Sequence, residues 1–403
     1  MTMKFVIGLD LGTTNCKALA VSAQGEVLAS TESGYRLRSA GSGRVEQDPQ
    51  EIWQGAQAAL RAVLGRTHGH DLAGVCLSGA MHSLLPVDGS GAPLALAITW
   101  ADERAAGQAI KLRQEMDAFA LYERTGCPLE SIYYPAKLRW YREAAPEIFR
   151  AAARFVGVKD WVCFHLTGAW LTDFGLASTT GLLDIHRLAW DAEALALGGI
   201  GEDRLPALVS PYAVAGGVSR TALEGMLAGT PVIVGGSDGG LANLGAGAAG
   251  PGQAAVTVGT SGAIRRVLDR PQLDPQVRTW CYVLDEGRWF AGGAINNGGL
   301  ALQWVRERFF QEVGGQAGFQ RMLAEAARVP AGAGGVFFLP YFTGERSPHW
   351  DSSIRGLLYG LGLEHDRGHV ARAEAIRSLR VTVYEAADEW ASVDRALDGQ
   401  GIG

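Results

Sequence analysis

At 403 residues the chain has room for roughly two to three domains with sizeable cores, and 47% apolar with 19% charged residues is a globular composition. A net charge of -6, with the 36 lysines and arginines spread along the chain and no long run of like charges, argues against nucleic acid as the main partner. No apolar stretch approaches the roughly 18 residues of a membrane span, and Asp10 interrupts the N-terminal apolar run, so neither a span nor a signal peptide fits and a cytoplasmic protein is expected.

In chain order, Phe5-Val6-Ile7-Gly8-Leu9-Asp10-Leu11-Gly12-Thr13-Thr14-Asn15 drives a buried strand into an acid and then into a tight, hydroxyl-rich turn. The chain returns as a second strand at 17–21, and Gln24-Gly25 turns it into a third at 27–29. At the mouth of this hairpin Asp10 can hold Mg2+ through water while the N–H groups of Gly12 to Asn15 point at phosphate oxygens; it can equally be a carboxylate that caps the turn. A helix is predicted over 53–64, then a strand over 72–77 that ends in Ser78-Gly79-Ala80-Met81-His82. Further strands are predicted over 83–87 and 95–99, and helices over 103–123 and 136–154, an α/β pattern. Met81-His82 follows a strand end, where α/β proteins bind ligands, although a histidine in that position is often structural.

The segment Pro231-Val232-Ile233-Val234-Gly235-Gly236-Ser237-Asp238-Gly239-Gly240 is a buried strand, a glycine-rich turn and an acid, with a helix expected from Gly240. Asp238 can approach a substrate hydroxyl closely among these glycines and accept its proton during phosphoryl transfer; the competing reading is a helix N-cap. A boundary is expected within 245–253, giving domains 1–246 and 247–403. The second domain opens as the first does: Ala254-Ala255-Val256-Thr257-Val258-Gly259-Thr260-Ser261-Gly262 is strand and hydroxyl-bearing turn, with a strand following over 264–268. That likeness suggests a duplicated architecture with a nucleotide clamped between the halves. Helices are predicted over 298–310 and 319–327, and a buried strand over 335–340 leads to Gly344-Glu345-Arg346-Ser347-Pro348.

Other motifs carry less. Gly245-Ala246-Gly247-Ala248-Ala249-Gly250 matches the dinucleotide fingerprint, but a helical segment precedes it where a strand is required. No G-x-x-x-x-G-K-[ST] occurs, so phosphate cradling cannot be of the P-loop kind. The five cysteines stand singly, with no C-x-x-C pair and no histidine at metal spacing, as reduced thiols do.

Asp10-Leu11-Gly12-Thr13-Thr14, Ser78-Gly79-Ala80-Met81-His82, Trp100-Ala101-Asp102-Glu103-Arg104, Gly236-Ser237-Asp238-Gly239, Gly259-Thr260-Ser261-Gly262 and Gly344-Glu345-Arg346-Ser347-Pro348 occur in the order seen in the FGGY carbohydrate kinases, and the resemblance covers residues 4 to about 373. Within the family, Ala80-Met81-His82-Ser83, Ile98-Thr99-Trp100-Ala101-Asp102-Glu103-Arg104 and Gly293-Ala294-Ile295-Asn296-Asn297-Gly298-Gly299 look most like gluconate kinases; xylulokinases share the Met-His pair.

The resemblance implies an actin-like, ribonuclease-H-like two-domain α/β ATPase using ATP and Mg2+ to phosphorylate a terminal hydroxyl, D-gluconate being the expected acceptor and a ketose such as xylulose the alternative. By the same analogy Asp238 is the base and Asp10 positions the metal. Gly12, Thr13 and Thr14 face the phosphates from the first domain and Gly259, Thr260 and Ser261 from the second, with Gly299 and Gln303 near the nucleotide. Met81 and His82 contact substrate, Trp100, Asp102 and Arg104 line the sugar site, and Arg104 is the candidate to meet the gluconate carboxylate. The expected partner is a small sugar or sugar acid, with neither nucleic acid nor membrane. After Ala373 the sequence departs from the family pattern: no glycine-rich adenine-contacting motif follows, so the second domain is expected to be incomplete. A catalytically impaired binder is the remaining alternative, and an exposed apolar patch is expected to favour self-association, a homodimer being the simplest form. Ile376, Leu379, Val383 and Ala387 recur at helical spacing, predicting a helix over 374–395.

Overall fold

The N-terminal strand β1 (Lys4–Leu11) buries alternate residues, Phe5, Ile7, Leu9 and Leu11, and pairs antiparallel with β2 (Asn15–Ser22), which pairs in turn with β3 (Val27–Gly34). In this computed structural model, which describes residues 3–41, 43–312 and 314–373, the three strands form half of a six-stranded sheet. The strand Asp71–Gly79 runs parallel beside β1, the strand Pro231–Ser237 runs parallel beside that, and Val214–Gly217 closes the far edge antiparallel. Three parallel strands therefore end at the same edge of the sheet, the edge where open α/β folds bind ligands.

Helix α1 (Pro49–Gly65) presents Ile52, Ala56, Ala59, Leu60 and Val63 as one buried stripe, which joins the β-strand residues Ile7, Leu9, Ala18 and Ala20 in a single core cluster. It starts four residues before the predicted 53, because Asp48 caps it through the Gln50 N–H and Pro49 opens its first turn. The two long helices predicted over 103–123 and 136–154 are each broken. The first becomes α2 (Ala106–Glu115) and α3 (Ala118–Thr125), the second of these capped by Asp117, which accepts from the Phe119 and Ala120 amides. The second becomes α4 (Tyr134–Ala144) and α5 (Pro146–Ala151), since Pro146 has no N–H to continue α4 and disfavours helical geometry at Ala145. The chain then enters a short strand, Arg154–Val156, and α6 (Val158–Thr167), which packs with α1 on the same core cluster. Two short helices, α7 (Phe174–Ser178) and α8 (Ala192–Gly198), precede α9 (Asp238–Gly245). The strands predicted over 83–87 and 95–99 shrink to Leu85–Val87 and Ala97–Ile98.

The chain divides into two compact units, Met1–Ala249 with Leu268–Gln272 and Cys281–Phe290, and Gly250–Val267 with Leu273–Trp280 and Ala291–Gly403. In the second unit the strands Ala254–Val258 and Gly262–Leu268 form a hairpin in which Val258 faces Gly262. Helices α10 (Gly299–Phe309) and α11 (Gly315–Arg328) follow, and Val305, Phe310, Met322, Ala326, Phe338, Val370 and Ala371 form a core of their own. The helix predicted over 374–395 lies outside the described residues.

Candidate active site

The two acids singled out in the sequence stand at one edge of the first unit's sheet. Asp10 is in register with Ser78, and Ser78 with Gly236, across the three parallel strands. Neighbouring strands lie about 4.8 Å apart, so the Asp10 backbone is roughly 10 Å from that of Gly236, two residues before Asp238. Ser78 donates its hydroxyl to Asp10 Oδ1 at 2.6 Å, which orients the carboxylate. The last strand reaches this row only through a bulge at Gly235, whose φ of +71° and closeness to the Leu77 carbonyl, 1.7 Å from any Cβ built there, admit no side chain. Asp238 is the first residue of α9, and the cap is Ser237, whose hydroxyl accepts from the Gly240 N–H. The capping hydroxyl is thus its neighbour's, and the half-buried Asp238 carboxylate accepts the adjacent Gly239 N–H at 2.7 Å.

Below this edge, Lys159 of α6 is fully buried and donates to the Val234 carbonyl at 3.1 Å, tying down the strand that leads to Asp238. Its ammonium stands 3.0 Å from Asp173 and 3.3 Å from Asp160. Burial opposes its charge, but the two carboxylates outweigh that and hold its pKa above the ordinary lysine value. Burial pushes the Asp160 carboxyl up to about 6.

The first turn owes its shape to residues far away in sequence. The Gly12 carbonyl accepts from the Tyr35 hydroxyl at 2.6 Å and from Gln47 Nε2 at 3.2 Å, while the Thr13 carbonyl accepts from Gln47 Nε2 at 2.8 Å. In a trans peptide the carbonyl and the following N–H point in opposite directions. Pinning these two carbonyls on one side therefore aims the N–H groups of Thr13 and Thr14 to the other, the form of an anion-binding nest. The second unit uses the same principle with different donors. The Gly259 carbonyl accepts from the Gly299 N–H at 2.7 Å and the Thr260 carbonyl from the Gly298 and Leu300 N–H groups at 3.0 and 3.2 Å, so the amides of Thr260 and Ser261 face away from the start of α10. Gln303, one turn into α10, is exposed and donates to Glu307 at 2.8 Å. The motif Gly344 to Ser347 is fastened to the residues before α10: the buried Glu345 accepts from the Asn296 N–H, and buried Asn297 donates to the Gly344 carbonyl at 2.8 Å.

The Met81-His82 and Trp100 to Arg104 motifs lie in loops of the first unit. His82 is buried with a φ of +65°, and its Nδ1 sits 2.7 Å from the Thr179 carbonyl. A carbonyl can only accept, so Nδ1 carries the proton and Nε2 is the acceptor of the neutral ring. Tyr133 and Tyr282 meet the imidazole edge-on and share a hydroxyl hydrogen bond of 2.7 Å. Met81 is half-buried beside it. Trp100 donates Nε1 to the Thr13 hydroxyl at 3.1 Å, joining this loop to the phosphate-type turn.

Asp102 and Arg104, expected to line the sugar site, pair with each other and with neighbouring groups of the first unit. The Asp102 side chain has no exposed surface; it accepts from the Val45 N–H at 2.7 Å and from Arg104 Nε and Nη2 at 2.8 and 2.7 Å. Arg104 Nη2 also donates to Glu46 at 2.6 Å, and the guanidinium lies 4.9 Å over the Trp140 ring. Two carboxylates of the protein already neutralise this cation, so the pair shapes the loop and Arg104 is not poised for a ligand carboxylate. Sequence reasoning missed Tyr35, Gln47, Ser237 and Tyr133. Only Ser237 carried a local signal, a serine ahead of a helical start.

Comparison with known proteins agrees with the geometry. Residues 5–245 match the N-terminal domain, and 254–383 the C-terminal domain, of the FGGY family of carbohydrate kinases. A gluconokinase of Bacillus licheniformis is 36% identical over 98% of this chain and 78% of its own length. The gluconate kinase of Lactobacillus acidophilus superposes with a TM-score of 0.89 at 33% identity, over 95% of this chain and 77% of that one. A xylulose kinase from the same organism gives 0.90 at 34%, over 96% and 78%. The chain belongs to the FGGY family of carbohydrate kinases.

Proposed function

We propose that the protein transfers the terminal phosphoryl group of ATP to the 6-hydroxyl of D-gluconate, giving 6-phospho-D-gluconate. The observation that carries the chemistry is Asp238: a carboxylate relieved of capping by Ser237, at the strand edge where Asp10 also stands. As the new O–P bond forms, the hydroxyl proton passes to Asp238, and ADP departs as the bond between the γ-phosphorus and the oxygen bridging to the β-phosphate breaks. The amide nests at Thr13-Thr14 and at Thr260-Ser261 are suited to phosphate oxygens.

The Asp10 carboxylate, oriented by the Ser78 hydroxyl at 2.6 Å, is a hard oxygen donor of the kind a magnesium ion takes. Asp10 is the residue that would meet it, and the ion would supply charge neutralisation. Met81 and the His82 Nε2 acceptor are the groups we assign to the sugar hydroxyls. Gluconate is favoured by the gluconokinases among the relatives; a ketose acceptor is the second reading, favoured by the equally close superposition on a xylulose kinase. An ADP-release assay across sugars and sugar acids decides: gluconate should give the highest kcat/KM, and a higher value for xylulose would overturn the assignment.

A further inference from the structure

The loops carrying His82 and Trp100 are joined from behind by a residue that neither motif contains. Lys137, in the first turn of α4, is completely buried, and its Nζ donates to the His82 carbonyl at 2.6 Å and to the Thr99 carbonyl at 3.0 Å. Tyr134, one turn earlier on the same face, donates its hydroxyl to the Ser83 carbonyl. α4 thus clips two successive carbonyls of the His82 loop and one of the Trp100 loop. The clip acts on a strained segment, since His82 has a left-handed backbone that a non-glycine residue adopts only when its surroundings enforce it. We propose that Lys137 is a positioning residue of the sugar site, holding the His82 and Trp100 loops in fixed register through one ammonium group. The inference rests on the reading of these loops as the sugar site.

Among the described residues no carboxylate forms an ion pair with this ammonium. Asp102 supports its charge from the Trp100 loop and Arg104 opposes it, while Glu46 of the neighbouring strand Arg44–Gln47 is spent on Arg104. On the His82 loop the only titratable side chain is the imidazole itself. The charges on the helices packed against α4 pair elsewhere: Lys111 and Glu115 of α2 with Glu143 and Arg139, and Glu193 of α8 with Arg124, while Arg150 of α5 is exposed. Burial therefore dominates and brings Lys137 down to about 7. Both carbonyls are held best by the charged form, because a charge-assisted bond is about twice as strong as a neutral one. The register should loosen as the pH rises through neutrality.

The test is steady-state kinetics of the full chain with the best sugar of the panel, for wild type and Lys137→Met, at pH 6 to 9. Wild type should show sugar KM rising several-fold above pH 7. The variant should show a KM raised about tenfold at pH 6 and flat with pH, with kcat within about threefold and an unchanged circular dichroism spectrum. Where Lys137→Met does not fold, Arg104→Gln replaces it: removing the opposing cation should move the wild-type KM rise to higher pH. A wild-type KM that is flat with pH, or a rise that survives in Lys137→Met or stays in place in Arg104→Gln, overturns the positioning role alone. Absence of turnover for every sugar overturns the sugar-site reading and this inference with it.

Discussion

Gln47 offers the most direct test of how the first phosphate turn works. Its side chain is buried and supplies Nε2 to both the Gly12 and the Thr13 carbonyls, whereas the Tyr35 hydroxyl is shared between the Gly12 and Asn15 carbonyls and does not reach Thr13. Gln47→Leu keeps the volume and removes two bonds, leaving the Thr13 carbonyl without its side-chain donor. A net value of about 1 kcal/mol per hydrogen bond makes the loss about 2 kcal/mol. If all of that appears as lost pre-organisation of the Thr13 and Thr14 amides, the competent turn is populated about 30-fold less and the apparent ATP affinity falls by that factor. Tyr35→Phe removes one hydroxyl proton shared by two carbonyls that each keep another donor, Gln47 Nε2 at Gly12 and the Gly12 N–H at Asn15, so about 1 kcal/mol and a fivefold effect are its ceiling. Sugar KM should change by less than about threefold in both, because no bond of Gln47 or Tyr35 reaches the His82 loop. ATP and sugar KM measured separately, with calorimetry of nucleotide binding, check the split. An unchanged ATP affinity in Gln47→Leu, or equal losses for ATP and sugar, would refute the argument that pinned carbonyls aim the amides.

Asp238→Asn should lower kcat by ~10^2 to 10^4 with sugar binding near normal, since it keeps shape and removes the proton acceptor; near-full kcat would return Asp238 to a structural role. Gly299→Ala would place a Cβ 2.7 Å from the Gly259 carbonyl that its own N–H holds, so ATP KM should rise about tenfold or more, and an unaltered value would show that the turn does not depend on α10. Asp160, raised to about 6 by burial, binds its proton more tightly folded than unfolded, so its contribution is favourable at pH 4 and is lost as pH rises to about 6. Unfolding titrations should then show wild type losing on the order of 3 kcal/mol relative to Asp160→Asn between pH 4 and 7, and a constant difference would count against a buried, titrating carboxylate.

Legibility in the sequence followed the range of the interactions. Alternation of apolar residues at 5, 7, 9 and 11 is a local property, and the hairpin, its turn and the strand ending in Ser78 were all readable from it. Asp10 and Asp238 were readable because each follows an apolar run at a glycine-rich turn. Helix boundaries failed where a local signal was passed over: Asp48-Pro49 at the start of α1 and Pro146 at the end of α4. Asp102 and Arg104 show a different limit of the sequence. A motif shows which residue types recur together, but a carboxylate and a guanidinium two residues apart can satisfy each other as readily as a ligand, and here burial beside Glu46 makes them do so. Tyr35, Gln47 and Lys137 were invisible because each acts on a carbonyl, which has no side-chain identity, at separations of 23, 35 and 55 residues.

These unseen residues share one physical task. Both hydroxyl-rich turns and the His82 and Trp100 loops expose backbone or side-chain groups whose direction is set from the opposite side of the peptide. In the first unit side chains do this, and Gln47, Tyr35 and Lys137 can each be changed without altering a turn's own sequence. In the second unit the amides of Gly298, Gly299 and Leu300 do it, and the close approach is possible only because two of these are glycines. The two turns therefore look alike in sequence and differ in what maintains them. Substitution behind the first should tune nucleotide affinity in steps, one donor at a time, while substitution behind the second displaces backbone and should act all at once.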